Sequence, residues 1–296
     1  METTLFGKNI PLKSYVCALN GQEPQPIGVP YVNLYIQLKG CNAKCKFCTF
    51  QEAAKDFNFK KFKEVLSELK KNIQVRKISV TGGEPTLFLD RLYKISDNVR
   101  KVFPDSFFVV NTNGYQLLDL YKDGKFRDFD SISLSRHHYD DKINNEILGF
   151  NSISKKWLEA IQHSWWQQKD KLHLSCNLIN GYIDSPQKVY NYLEFAGKVK
   201  INDVGFVSLM KINYFCENNF VDFSDLKLKH KRLFKTKEWK FMDSCKCNNY
   251  LYIPNDINSD VVKVYYRCFM MRSEVCNSLV FDGENLKIGF DGLTLI

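Results

Sequence analysis

The sequence predicts an α/β fold: six strands alternating with helices, then a smaller, mostly β segment. Three observations predict it. Short apolar runs and amphipathic runs of helical spacing alternate from residue 31 to about residue 210, at intervals of roughly 25–45 residues. Glycine-rich or polar stretches follow the apolar runs. After Met210 the rhythm gives way to short β-branched and aromatic runs. Such alternation implies parallel strands with right-handed crossovers, laid out as a sheet or curled into an open barrel.

In chain order, residues 1–30 show no periodicity. Gly21, Pro24, Pro26, Gly28 and Pro30 punctuate an extension expected to lie across the main domain. Residues 31–38 form the first strand. Residues 58–71 then place Phe59, Phe62, Val65, Leu66 and Leu69 at helical spacing. A strand over 77–81 ends at Gly82-Gly83, and 87–102 is helical. A strand over 107–111 closes with Thr112-Asn113-Gly114 before a short helix over 115–121. Strands follow over 131–135, 172–179 and 204–209. A helix over 153–168 separates the first two of these. Ser185 caps another, with Pro186 in its first turn. Beyond residue 210, runs at 250–253, 261–266, 278–282 and 286–290 read as strands, with Asp282-Gly283 and Asp291-Gly292 as turns. The expected division is 1–30, 31–210 and 211–296.

The hydrophobic fraction of 44% is that of an ordinary globular chain, which excludes a disordered one. The N-terminus lacks the basic start and apolar centre of a signal peptide, and no apolar stretch approaches a membrane span. A cytoplasmic location is therefore expected. In that reducing compartment the ten cysteines are better read as metal ligands or core thiols than as disulfides. The net charge of +9 is partly concentrated in residues 227–240, which either contact phosphates or form a solvated lysine-rich face.

Two motifs carry chemistry. Cys41, Cys45 and Cys48 stand at C-x3-C-x2-C directly after the first strand. Three thiolates from one loop can hold three irons of a [4Fe–4S] cube and leave the fourth open to a small chelating molecule. A structural zinc knuckle is the competing reading, but zinc sites usually pair two C-x2-C units. One βα step later comes Gly82-Gly83-Glu84-Pro85. Its glycines let backbone approach a ligand closely, and Glu84 either accepts from an ammonium or buttresses the turn.

With both motifs in this order on six βα steps, the chain resembles the radical S-adenosylmethionine (SAM) superfamily. The resemblance covers roughly residues 31–210. It implies a partial (β/α)6 TIM-like barrel with a small, mostly β, cysteine-bearing C-terminal domain. It implies a [4Fe–4S] cluster on Cys41, Cys45 and Cys48, and SAM held by Gly82, Gly83 and Glu84. The SAM amino and carboxylate groups would chelate the open iron, and cluster reduction would release a 5′-deoxyadenosyl radical to take hydrogen from a substrate. Phe47 matches the family's aromatic position beside adenine. Thr112, Asn113 and Ser135 match positions near SAM in the molybdopterin-precursor GTP cyclases. Arg136, His137 and His138 depart from that subgroup. Arg136 is a candidate fork for the SAM carboxylate. Either histidine could act on substrate or cap a helix. Cys176 is a candidate hydrogen donor or metal ligand, against a small core hydrophobe; for Cys17 the core reading is stronger.

A second set, Cys245, Cys247, Cys268 and Cys276, with Cys216 as a possible fifth, is expected to hold an auxiliary [4Fe–4S] cluster, with zinc or core thiols as the alternatives, since its spacing fits no known signature. The implied function is hydrogen abstraction from a peptide, with a nucleotide, nucleobase or RNA as the alternative. Flavodoxin or ferredoxin would be the electron donor. The competing class is a metal-dependent nucleic-acid-binding protein that uses residues 227–240 on phosphates.

Overall fold

The structure, a computed structural model, describes residues 2–11, 31–48, 50, 52–164, 171–222, 226, 234–235, 248–254, 263–268, 277–290 and 292–296. It opens with an antiparallel hairpin that the sequence did not announce, β1 (Glu2–Leu5) and β2 (Lys8–Pro11). Phe6 and Gly7 both take positive φ, the two-residue turn that matches strand twist. The pattern is too short to read from periodicity: among its described side chains only Leu5 and Ile10 are fully buried.

Six parallel strands form the middle of the main sheet: β3 (Tyr31–Leu38), β4 (Gln74–Gly82), β5 (Phe107–Thr112), β6 (Ser131–Ser135), β7 (Leu172–Leu178) and β8 (Asp203–Ser208). The connections carry α1 (Phe59–Asn72), α2 (Leu89–Val102), α3 (Leu117–Lys122), α4 (Asp141–Leu148), α5 (Lys155–Ser164) and α6 (Pro186–Lys198). The caps are local and legible. The side chains of Asn58, Asp140 and Ser185 each accept from a backbone N–H in the first turn of α1, α4 and α6. Gly149 ends α4 in the left-handed conformation.

Strand register divides the sheet into two unlike faces. Ile36, Val80, Val110 and Ile132 align across β3 to β6, on the face that packs against the helices. On the other face Asn111 aligns with Ser133 and His173, and Ser135 with Ser175. Asn111 Nδ2 donates to Ser79 Oγ at 2.7 Å across that face. Thr81 of β4 and Val207 of β8 line one cavity. In a flat sheet those strands would stand about 19 Å apart, so the sheet curls with its polar face inward. This is the partial (β/α)6 barrel.

The C-terminal strands extend the same sheet at both edges. β11 (Lys263–Cys268) runs parallel beside β8, followed outward by β10 (Asn248–Pro254) and β9 (Phe234–Lys235). β12 (Ser278–Phe281) runs parallel beside β3, with β13 (Leu286–Ile288) outside it. A short α7 (Tyr214–Asn218) follows β8, capped by Asn213. Among the described residues no helix is long and apolar enough to cross a membrane.

Candidate active site

The cysteine loop leaves β3 through Gly40, whose φ is +94°. It is stitched to the loop after β4 by two backbone bonds: Gly83 N–H donates to Leu38 O, and Glu84 N–H donates to Gly40 O, each at 2.8 Å. The glycines make this stitch possible. A Cβ on Gly82 would stand 2.2 Å from Leu38 O, and one on Gly83 would stand 1.9 Å from Gly40 O. The room they open is filled by the chain that launches the cysteines. The close approach expected at these glycines is therefore met by protein backbone. From the other side the loop rests on the end of α4, where Lys44 N–H donates to Leu148 O at 2.9 Å.

Cys45 is buried, and its thiol lies 3.9 Å from Leu148 O. Cys41 Sγ accepts from Ala43 N–H and Cys48 Sγ from Phe50 N–H, each at 3.3 Å. Such bonds favour the ligating thiolate. Burial, then the charges of Cys48 and Cys41, push the Cys45 thiol up to about 12. The three sulfurs thus share one neighbourhood in which negative charge needs a cationic partner. Among the described residues no three such groups converge as one ion requires. A soft, thiolate-only donor set on one loop fits an iron–sulfur cube.

Glu84 buttresses the turn. It is buried, and its Oε1 accepts from Thr86 N–H at 2.9 Å, Thr86 Oγ1 at 2.7 Å and Thr112 Oγ1 at 2.6 Å. Its Oε2 accepts from Asn113 N–H at 2.6 Å. Burial pushes its carboxyl up, and these four bonds oppose that. Three of the four bonds converge on Oε1, and Oε2 takes the one from Asn113 N–H. Thr112 serves the same network, while Asn113 reaches the cysteine loop. Its Nδ2 lies 2.9 Å from Asn42 Oδ1 and 3.8 Å from Cys41 Sγ.

Arg136 does not carry the fork expected of it. Its side chain is 1% exposed and turned inward, ion-paired with Asp141, donating to Ile153 O at 2.9 Å and lying over the Phe195 ring. Ser135 ends β6 in register with Ser175, half-buried. His137 is buried, with Nδ1 accepting from Asn177 N–H at 3.0 Å and its ring edge-on to Phe47 at 4.9 Å. Burial lowers its pKa to about 3, so it stays neutral and braces Phe47. His138 Nδ1 accepts from the N–H of Asp140, the residue whose own side chain caps α4. Cys176 sits on the apolar side of β7, fully buried in the core and coupled to Tyr192 of α6. Strand alternation turns Cys176 away from the barrel centre, where its neighbour Asn177 takes the inward position.

Of the second cysteine set, Cys245, Cys247 and Cys276 lie outside the described residues, as does Cys17. Cys268 ends β11, with only its backbone described. Most of residues 227–240 also lies outside. Cys216, the possible fifth, lies on α7 with its thiol 3.6 Å from Phe47 O, beside the first motif.

Between the cysteine loop, β7, β8 and α7 lies a cavity of about 280 Å³. Phe47, Cys48, Thr81, Asn177, Val207 and Cys216 contribute to its wall. Asn177, Val207 and Cys216 were not singled out for this site by motif. Asn177 lies in the polar stretch after β7, which was the available signal.

The family described as the Radical SAM superfamily matches residues 35–164. A protein of Methanocaldococcus jannaschii named as a glycyl-radical enzyme activating enzyme is 30% identical over 126 residues, 42% of this chain and 46% of that protein. A protein of Pyrococcus abyssi named as a probable GTP 3',8-cyclase is 28% identical over 181 residues, 58% of this chain and 55% of its own. The chain spans about half the length of these curated relatives. Streptococcus suis SuiB, in a crystal structure bound to S-adenosylmethionine, superposes with a TM-score of 0.53 at 13% identity, covering 86% of this chain and 59% of SuiB. SuiB bound to its precursor peptide SuiA gives 0.50 at 18% identity, covering 64% and 42%. The three-thiol loop and its glycine stitch fall inside residues 35–164, the stretch that matches the Radical SAM superfamily, and the curled six-stranded sheet is the fold shared with SuiB.

Proposed function

We propose that the chain cleaves SAM reductively and takes a hydrogen atom from a peptide. The observation that carries this reading is the three-thiol loop, stitched to residues 82–84 and opening on the cavity beside Phe47 and Cys48. Cys41, Cys45 and Cys48 would hold the [4Fe–4S] cluster, with one iron left for SAM. When bound, cluster and SAM supply reductive sulfonium cleavage and hydrogen abstraction. The chain's own part is to hold and to shield. Ala43 and Phe50 N–H groups steady the thiolates, His137 sets the Phe47 ring, and Val207, Leu209 and Phe290 keep an apolar wall against water.

The inward face supports a peptide over a nucleotide. Its described residues are mostly neutral hydrogen-bonding groups such as Ser79, Asn111, Ser133, Ser175 and Asn177. Lys77 is the one lysine or arginine that register sets on that face of β3 to β8. A triphosphate calls for several cations, whereas a peptide backbone calls for neutral donors and acceptors. SuiB, with the same fold, has been seen with a precursor peptide. The GTP cyclase named among the sequence relatives supports the nucleotide alternative. Cys245, Cys247, Cys268 and Cys276 remain the proposed ligands of a second cluster, and flavodoxin or ferredoxin the proposed donor.

Anaerobic reconstitution tests the reading. About eight irons per chain are expected for two clusters. After reduction, deoxyadenosine formation should rise with a mixed pool of short peptides and not with GTP. GTP that binds in equilibrium dialysis and stimulates SAM cleavage would overturn the peptide reading. Zinc in place of iron, with no deoxyadenosine formed, would overturn the enzyme reading.

A further inference from the structure

Among the described residues, Asn42 Nδ2 is one of three buried side-chain nitrogens with no hydrogen-bond partner in the protein. It belongs to the residue directly after Cys41. Its orientation follows from a chain of bonds that begins at a backbone group. Tyr115 N–H donates at 3.0 Å to one end of the Asn113 amide, and a backbone N–H can only donate. That end of Asn113 is therefore its oxygen, and the other end is its NH2. This NH2 reaches Asn42 at 2.9 Å, so the atom it meets there must be the Asn42 oxygen. The Asn42 NH2 is thereby turned the other way. Flipping either amide would set donor against donor.

A buried amide nitrogen without an acceptor costs about 1–3 kcal/mol, and native proteins rarely keep one. The turn that carries it is the loop whose three thiols share one neighbourhood. A sulfur acceptor is what that loop would bring when loaded. We propose that Asn42 Nδ2 donates a hydrogen bond to a sulfur of the cluster held by Cys41, Cys45 and Cys48, making Asn42 a positioning residue, oriented by Asn113, that raises the cluster's reduction potential. The direction follows from charge. Reduction adds an electron to the cluster, and an N–H donor stabilises the more negative state more. The proposal rests on reading residues 41–48 as a cluster loop.

The test is a potentiometric titration followed by electron paramagnetic resonance, on the full chain reconstituted anaerobically without SAM. Wild type, Asn42→Ala, Asn42→Asp and Asn113→Ala are compared, each first shown by iron count and visible absorbance to carry its cluster. Asn42→Ala should lower the reduced-to-oxidised ratio at a fixed potential by about tenfold, which for a one-electron couple is a shift of about 59 mV to the negative. The isosteric Asn42→Asp, which replaces the donor with an anion, should shift it at least as far. Asn113→Ala should shift it part of the way. Potentials equal to wild type in loaded Asn42 variants would overturn the proposal, and a shift seen only after SAM is added would overturn it by assigning the bond to SAM. Failure of wild type to take up iron would instead strike the cluster reading itself.

Discussion

At the scale of single residues, the side chains nearest the cysteine loop brace it and each other. His137 shows this best. Its motif neighbours, Arg136 and His138, announced a polar cluster after β6, and the sequence allowed a fork on the SAM carboxylate for Arg136 and action on substrate or helix capping for either histidine. The structure buries all three. A histidine held neutral with a pKa of about 3, against an ordinary 6.5, binds a proton more readily unfolded than folded across that window. Its contribution to stability is whole above pH 6.5 and is lost as pH falls toward 3. Unfolding free energy from urea titrations should therefore drop by roughly 1 kcal/mol per pH unit below 6.5 in wild type, beyond what His137→Gln shows. Equal slopes for the two proteins between pH 6.5 and 5 would refute burial as the cause. Cys41, Cys45 and Cys48 were legible because spacing alone brings thiols together. Arg136 was not, because the partner that claims it, Asp141, is set by the path of the chain after β6.

At the scale of elements, the loops after β3 and β4 behave as one unit. Gly83→Ala drives a methyl group into Gly40 O, backbone that has little room to give. It should cost about 1–3 kcal/mol of stability and most of the iron taken up on reconstitution. Gly181→Ala is the comparison. Unlike Gly83 it carries a positive φ, +85°, but a Cβ there meets nothing within 4 Å. It should cost about 1–2 kcal/mol from backbone strain and leave iron uptake unchanged. Similar iron loss in both would show that the stitch is unimportant. The six strands were readable because buried parallel strands are continuous apolar runs or strict alternations. The β1–β2 hairpin and α4 escaped because four-residue strands and a helix of eight residues give too few repeats to show a period.

At the scale of the whole molecule, the sheet is finished from the far end of the sequence. Phe281 of β12 is fully buried, with its ring 5.4 Å from both Phe57 and Phe62. Phe281→Ala should cost about 3–5 kcal/mol in urea unfolding. It should also weaken cluster retention, because β12 flanks the strand that launches the cysteine loop. A loss below about 1 kcal/mol would mean that β12 contributes little to holding β3. The sequence marked residues 278–282 as a strand but gave no sign that it pairs with β3. Register between distant strands depends on shape and closure, which no local pattern encodes.

That pairing also sets a timetable. Asn33 lies beside Ser278, a residue the ribosome adds 245 positions later (278 − 33). At roughly 5–20 residues per second, β3 waits on the order of tens of seconds for its outer neighbour. Until then one edge of the strand beneath Cys41 is open. Metal delivered before β12 is made would meet thiols without their final scaffold, so loading belongs after β12 has paired with β3.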